Sequence, residues 1–216
     1  MANAFHFFKA EALQIGLEFN TSKCEVIPVA GHNANLNKFF YPEDIVFRED
    51  GNFELLGGPI GSAEFCNQYT QKRVNKVTEI LTALGELPDR QVTLSLLRNC
   101  ATFGKLVYSL RVVPHRNHRT ALRSFDDAVR DCIESFLCCS FSDSEWSLAN
   151  LSTKMGGLGL RKTEQHSPAA FLSSQMSCRE LCSKLDSQYV FDLNNIHTNS
   201  YSALEDYNAM VYLKTK

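Results

Sequence analysis

The chain has 216 residues, 44% of them hydrophobic and 21% charged, enough to bury one large core or two small ones and far from the profile of a disordered polypeptide. No stretch reaches the roughly 20 apolar residues of a membrane-spanning helix, and the first residues, with Lys9 and Glu11 behind a short apolar run, lack the pattern of a signal peptide; an intracellular protein, cytoplasmic or nuclear and without a membrane partner, is expected. The formal charge of -2 conceals an uneven distribution, because residues 71–130 hold eleven Lys and Arg against five Asp and Glu, and a basic middle between acidic ends points to a polyanion-facing surface.

Phe5, Phe8, Ala12 and Ile15 stand at helical spacing and predict a first helix that Gly16 ends. Asn20 to Ser22 read as a turn, CEVIPV (24–29) as a short strand, and 30–52 as a loop rich in Asn, Asp and Gly with Pro42. FELLGG (53–58) reads as a second short strand, stopped by Gly57, Gly58 and Pro59. From residue 62 the period becomes helical. Ser62 is the expected N-cap of a helix to about Leu84, with Phe65, Tyr69, Val77, Ile80 and Leu84 inward and Gly85 and Pro88 as stops.

The next helix, about 89–111, sets an inner stripe of Leu96, Cys100, Phe103, Val107 and Leu110 against an outer stripe that includes Arg98, Thr102, Lys105 and Ser109. A third helix, about 119–138, buries Leu122, Phe125, Val129, Ile133 and Phe136. A loop around Trp146 and the Gly-rich MGGLGLR follow. Ser167 and Pro168 then form an N-cap and N1 pair for a helix burying Phe171, Gln175 or Met176, Cys178, Cys182 and Leu185, and a short helix is expected near Leu204 to Leu213. The eight cysteines are irregularly spaced and read as reduced core residues.

Three stretches in fixed order carry a resemblance: Gly16, Leu17, Asn20, Lys23 and Cys24 in IGLEFNTSKCEVI; Leu55, Leu56, Gly57, Pro59 and Ile60 in FELLGGPIG; and Gly156 to Arg161 in KMGGLGLRK. Together, over about residues 10–175, they resemble the reverse transcriptases of non-LTR (LINE-type) retrotransposons, from the last palm motif, GLxxNxxK, through the primer grip to a stretch after the thumb. The fold class that follows is α+β, mostly α. The resemblance implies a remnant palm with a small β-hairpin over 1–61, a helical thumb over 62–140, a helical post-thumb region over 141–197, and a tail over 198–216. It also implies primer-grip residues Leu56, Gly57, Gly58, Pro59 and Ile60, and a palm lysine, Lys23.

In that family, aspartates in motifs preceding GLxxNxxK hold two divalent metal ions. Only fifteen residues precede Gly16 here and none is Asp, so no catalytic residue, no metal and no cofactor of the chain's own is expected, Mg²⁺ belonging to the complete family enzyme. Phe125, Asp126 and Asp127 imitate the catalytic hairpin, but they fall after the primer grip and in a helical pattern, where Asp126 with Arg130 and Asp127 with Arg123 read as surface ion pairs. Cys178, Cys182 and His197 lack zinc-site spacing, GGLGLRK lacks the last glycine of a dinucleotide fingerprint, and there is no Walker loop. His115 and His118, among arginines, read as phosphate contacts or solvated groups.

The expectation is therefore an incomplete reverse-transcriptase-like protein with residual, weak and non-specific binding of an RNA or DNA template-primer duplex through Arg98, Lys105, Arg111, Arg116, Arg119 and Arg123. The alternatives are a domesticated helical module that binds nucleic acid or protein, and the non-functional product of a decayed element.

Overall fold

The computed structural model of the chain describes residues 2–27 and 38–214, and it is α+β and mostly helical. Helix α1 (Ala2–Gln14) ends where Gly16 turns left-handed at φ 78°. Its expected inner face is largely open: Phe8 is 61% and Ile15 75% exposed, while Phe5 meets the rings of Phe19 and Tyr41. Among the described residues no element covers Phe8 or Ile15, so periodicity alone did not bury them. The strand expected over 24–29 is a two-residue β1 (Glu25–Val26), paired in parallel with β2 (Val46–Phe47); Pro28 and Val29 lie outside the described residues.

Strands β3 (Phe53–Leu55) and β4 (Gly58–Ile60) form an antiparallel hairpin with Leu55 opposite Gly58. The sequence reading stopped the strand at Gly57 to Pro59; instead, the chain turns over Leu56 and Gly57 and resumes. Pro59 does not interrupt pairing because it stands opposite Glu54, one step beyond the pair that closes the turn, where an antiparallel ladder needs no N–H.

Ser62 caps α2 (Ala63–Gly85), its hydroxyl accepting from the Phe65 amide at 3.2 Å. The buried stripe is Cys66, Thr70, Val74, Val77, Leu81 and Leu84, one residue out of phase with the reading at its start: Phe65 and Tyr69 are half-buried and Ile80 is exposed. The predicted single helix 89–111 is broken. It comprises α3 (Arg90–Leu96), a π turn at Leu97–Ala101, a 3-10 turn at Phe103–Lys105, and α4 (Val107–Val112). The wide turn and the non-helical Thr102 (φ -104°, ψ -132°) rotate the phase, so Leu97, Ala101 and Leu106 join Leu110 in the core, whereas Leu96 and Cys100 are exposed. Thr102 and Ser109, read as outward, are buried.

Helix α5 (His115–Leu137), kinked at His118, buries all five predicted residues, and Cys138 closes it in a left-handed cap at φ 53°. It lies along α2, and their shared core takes in Trp146, Ala149 and Leu160, so one hydrophobic cluster runs from Val74 to Leu160. Trp146 belongs to a helix, α6 (Asp143–Ala149), where a loop was read; Ser142 and Glu145 form its capping box. Helix α7 (Thr163–Leu185) begins four residues before Ser167 and carries Pro168 inside it. Its first half buries Phe171 and Leu172, but Cys178 is exposed and Leu185 is 80% exposed, contrary to the expected stripe. Helix α8 (Asn199–Lys214) is longer than the segment read near 204–213 and docks on α7 through Ala203. All eight cysteines are free, yet only Cys66 and Cys132 are buried, and Cys100, Cys138, Cys139 and Cys178 face outward. No described helix is long and apolar enough to cross a membrane.

Candidate nucleic-acid interface

The hairpin tip is built from two successive left-handed residues, Leu56 at φ 49° and Gly57 at φ 77°, the backbone of a type I′ turn, whose twist matches that of the strands it joins. Glycine adopts this conformation freely. Leucine does so at a cost of about 1 kcal/mol, and its side chain is 89% exposed, so the fold gains no burial from it.

The helical domain holds the tip by its carbonyls. The Tyr108 hydroxyl donates to Leu56 O at 2.7 Å, Arg73 Nη2 donates to Gly57 O at 2.6 Å, and the Tyr69 hydroxyl donates to the same oxygen at 3.2 Å. The Arg73 guanidinium lies over the rings of Tyr69 (5.3 Å) and Tyr108 (5.5 Å) and also donates to Ser109 Oγ at 3.2 Å. Burial and the neighbouring Glu54 carboxylate raise the Tyr69 phenol above its ordinary range, against the pull of Arg73. The primer-grip-like residues Leu56 to Ile60 are therefore fixed to α2 and α4.

Beside the hairpin, an open cleft of about 590 Å³ lies between β3 and α2. Arg48, Lys72, Arg73 and Lys76 supply its positive charge, Glu54 is its acid, and the half-buried rings of Phe53, Phe65 and Tyr69 form part of its wall. Arg48 is paired with Glu25 at 2.8 Å, but Lys72 and Lys76, one helical turn apart and exposed, form no ion pair among the described residues. A second cleft, of about 440 Å³, lies between β4, α7 and the start of α8; Asp192 is the charged residue of its wall.

The six cations expected to contact phosphate do not form one surface. Arg116 is paired with Glu205 (3.3 Å) and Asp206 (3.0 Å) on α8, and Arg119 and Arg123 share Glu164 on α7 at 2.6 and 2.9 Å. Arg98, Lys105 and Arg111 are exposed and without ion pairs among the described residues, but the break at Thr102 separates Arg98 from Lys105, which therefore do not share a helix face. Lys23 is exposed at the end of the 3-10 turn Thr21–Lys23. Lys72, Arg73 and Lys76 were missed; their signal in the sequence is QYTQKRVNK, where cations follow an aromatic on the same helix.

Asp126 is not a surface carboxylate. It accepts from Thr163 N (2.7 Å), Thr163 Oγ1 (2.8 Å) and Glu164 N (3.1 Å), and so caps α7 from α5, which explains why α7 begins at Thr163. Burial pushes its carboxyl up to about 6, against these three donors, which favour the charged form. The pairs read for the two aspartates are absent too: Arg130 engages Glu134 and Asp143, and Arg123 engages Glu164.

His115 and His118 are buried, at 2% and 0% exposure, not solvated among arginines. His118 lies between Thr70 Oγ1 (3.2 Å) and Ser167 Oγ (3.3 Å), and burial, helped by His115, drops it to about 3. Burial likewise lowers His115, whose Nδ1 has no hydrogen-bond partner among the described residues. No protein-family model, curated protein or solved structure matches the chain.

Proposed function

We propose that the chain is a non-catalytic, reverse-transcriptase-like remnant of the non-LTR retrotransposon kind that retains weak, non-specific binding of a nucleic-acid template-primer duplex. The observation that carries this reading is the hairpin tip. The residues resembling a primer grip form an anchored turn, with Tyr69, Arg73 and Tyr108 tying its carbonyls to the helices and a basic cleft alongside. Backbone phosphates are the chemistry such a surface addresses, and they fix position without reading sequence.

A polymerase reading finds no support in the one Asp-Asp pair of the sequence, since Asp126 is occupied by the start of α7. The closed core from Val74 to Leu160 favours a self-sufficient binding module, domesticated within its host. The exposed Phe7, Phe8 and Leu13 of α1, with Ile15 just after it, are the observation on the side of a decayed element that has lost the partner of this face.

The test is a titration of a labelled primer-template duplex at low salt, with a primer-extension assay in Mg²⁺ or Mn²⁺. The expected results are no extension and a dissociation constant on the order of micromolar or weaker that rises steeply with salt. Extension above background that Asp126→Asn with Asp127→Asn abolishes would overturn the non-catalytic half. Absence of duplex binding would overturn the other half.

A further inference from the structure

We infer that the cleft between β3 and α2 is a seat for single-stranded nucleic acid, with phosphates on Lys72 and Lys76 and an unpaired base against the Phe65 ring. The inference rests on the nucleic-acid reading above for its class of ligand, and assigns that ligand's strandedness and place.

Two observations converge. The first is charge. Arg116, Arg119 and Arg123 on α5 are neutralised by carboxylates of α7 and α8, whereas Lys72 and Lys76 share one cleft wall without an ion pair among the described residues. Their spacing of four on α2 sets them one above the other along the helix, so a phosphodiester chain running along that wall meets both.

The second is the apolar surface beside the cations. Phe65 stands in the same wall, tilted against Tyr69 with ring centroids 6.4 Å apart, and Phe53 faces the cleft from β3. Tyr69 is already committed to the hairpin carbonyl and to Arg73, which holds the Phe65 side of the cleft in place. A duplex hides the faces of its bases in its own stack and offers a protein wall only phosphate and groove edges; an unpaired base offers a π-face to any ring it can reach. Half-buried rings beside cations in an open cleft of about 590 Å³ therefore select unpaired over paired nucleotides. The tip of the hairpin, with its apolar Leu56, stands clear of this cleft's wall and is left to engage the duplex that continues from the unpaired strand.

The test uses the full chain and three probes: a labelled oligo(dT), a blunt duplex of equal length, and an oligonucleotide carrying 2-aminopurine, whose fluorescence changes when the base stacks on a ring. The chain should bind the single strand roughly tenfold more tightly than the duplex and change 2-aminopurine emission, as base stacking on protein aromatics does. Lys72→Glu with Lys76→Glu, both exposed and so compatible with the fold, should weaken the single strand by roughly tenfold or more and lower its salt dependence. Arg98→Glu with Lys105→Glu, outside the cleft, should change it by less than about twofold. Phe65→Ser should remove the 2-aminopurine signal. Duplex binding equal to or tighter than single-strand binding, or indifference to the Lys72 and Lys76 changes, would overturn the cleft assignment while leaving duplex binding standing. Failure of both probes to bind at low salt would remove both readings.

Discussion

Asp126→Asn is expected to make the loss of stability between pH 6.5 and 4 steeper than in the parent chain, by roughly 2 kcal/mol over that interval. Two buried groups act in opposite directions. His118 falls from about 6.5 in the unfolded chain to about 3 in the fold, so between those values the unfolded state binds more protons and stability drops as pH drops; the lowered His115 acts in the same sense. Asp126 rises from about 4 in the unfolded chain to about 6 in the fold. Between those values the folded state binds more protons, and stability grows as pH drops. In the parent chain Asp126 offsets part of the effect of the histidines. Replacing the carboxyl by an amide removes the compensating group, and the histidines then act alone. His118→Gln, which can still bond Thr70 and Ser167, should move the profile the other way and lose less stability than the parent on mild acidification. Urea titrations of the three proteins at pH 6.5, 5.5 and 4.5 measure this directly, and three parallel profiles would show that neither group is linked to folding.

Gly157→Ala is expected to destabilise the chain by about 3 kcal/mol, as overpacking against an immovable neighbour does, whereas Gly156→Ala, one residue earlier, should cost about 1 kcal/mol. A Cβ on Gly157 would lie 2.3 Å from Leu151 O and 2.6 Å from Leu148 O, and backbone carbonyls cannot swing aside as a side-chain tip can. These carbonyls belong to the bed on which the segment rests: Gly157 N donates to Ser152 O, Leu158 N to Ala149 O and Gly159 N to Leu151 O. At Gly156 a Cβ meets open space, and only its φ of 84° resists a side chain. Calorimetry of the two variants should therefore separate by several degrees in Tm, in the order Gly156→Ala above Gly157→Ala. Equal losses would mean that the Leu148 and Leu151 carbonyls yield. The MGGLGLR stretch, one of the three that carry the family resemblance, thus has a packing reason of its own.

The parts of this fold legible in the sequence are those whose cause is local. Ser62 caps α2 as its position before a helical run requires, and α5 buries the five residues that its spacing sets on one face. What escaped reading is tertiary in origin. The π turn at Leu97–Ala101 shifts the phase of a stripe that looked continuous. Asp126 caps a helix that begins 37 residues later, so Ser167 and Pro168 looked like the natural entry. Arginines on α5 read as free because the carboxylates that meet them, Glu164, Glu205 and Asp206, are distant in sequence. At the candidate site, Leu56 to Ile60, singled out by their motif, fall in the turn and second strand of the hairpin. Lys72 and Lys76 were not singled out, because cations on the outer face of a helix look like ordinary solvated charge until β3 is seen to close a cleft against them.

The position of Trp146 determines what the usual optical probe of this chain can report. It is the sole tryptophan, and it sits in the cluster that runs from Val74 to Leu160. Before β3, by contrast, Ile45 is the one buried hydrophobic residue among those described, and α1 with the two short parallel strands is held by contacts between the rings of Phe5, Phe19, Tyr41 and Phe47 and by exposed polar contacts such as Arg48 with Glu25. Segments with so little buried surface open at lower free energy than the core they adjoin. A melt followed by tryptophan emission therefore records the helical unit alone and passes over any earlier opening near α1. Amide exchange, read residue by residue, sees both, with the first helix exchanging ahead of α2 and α5.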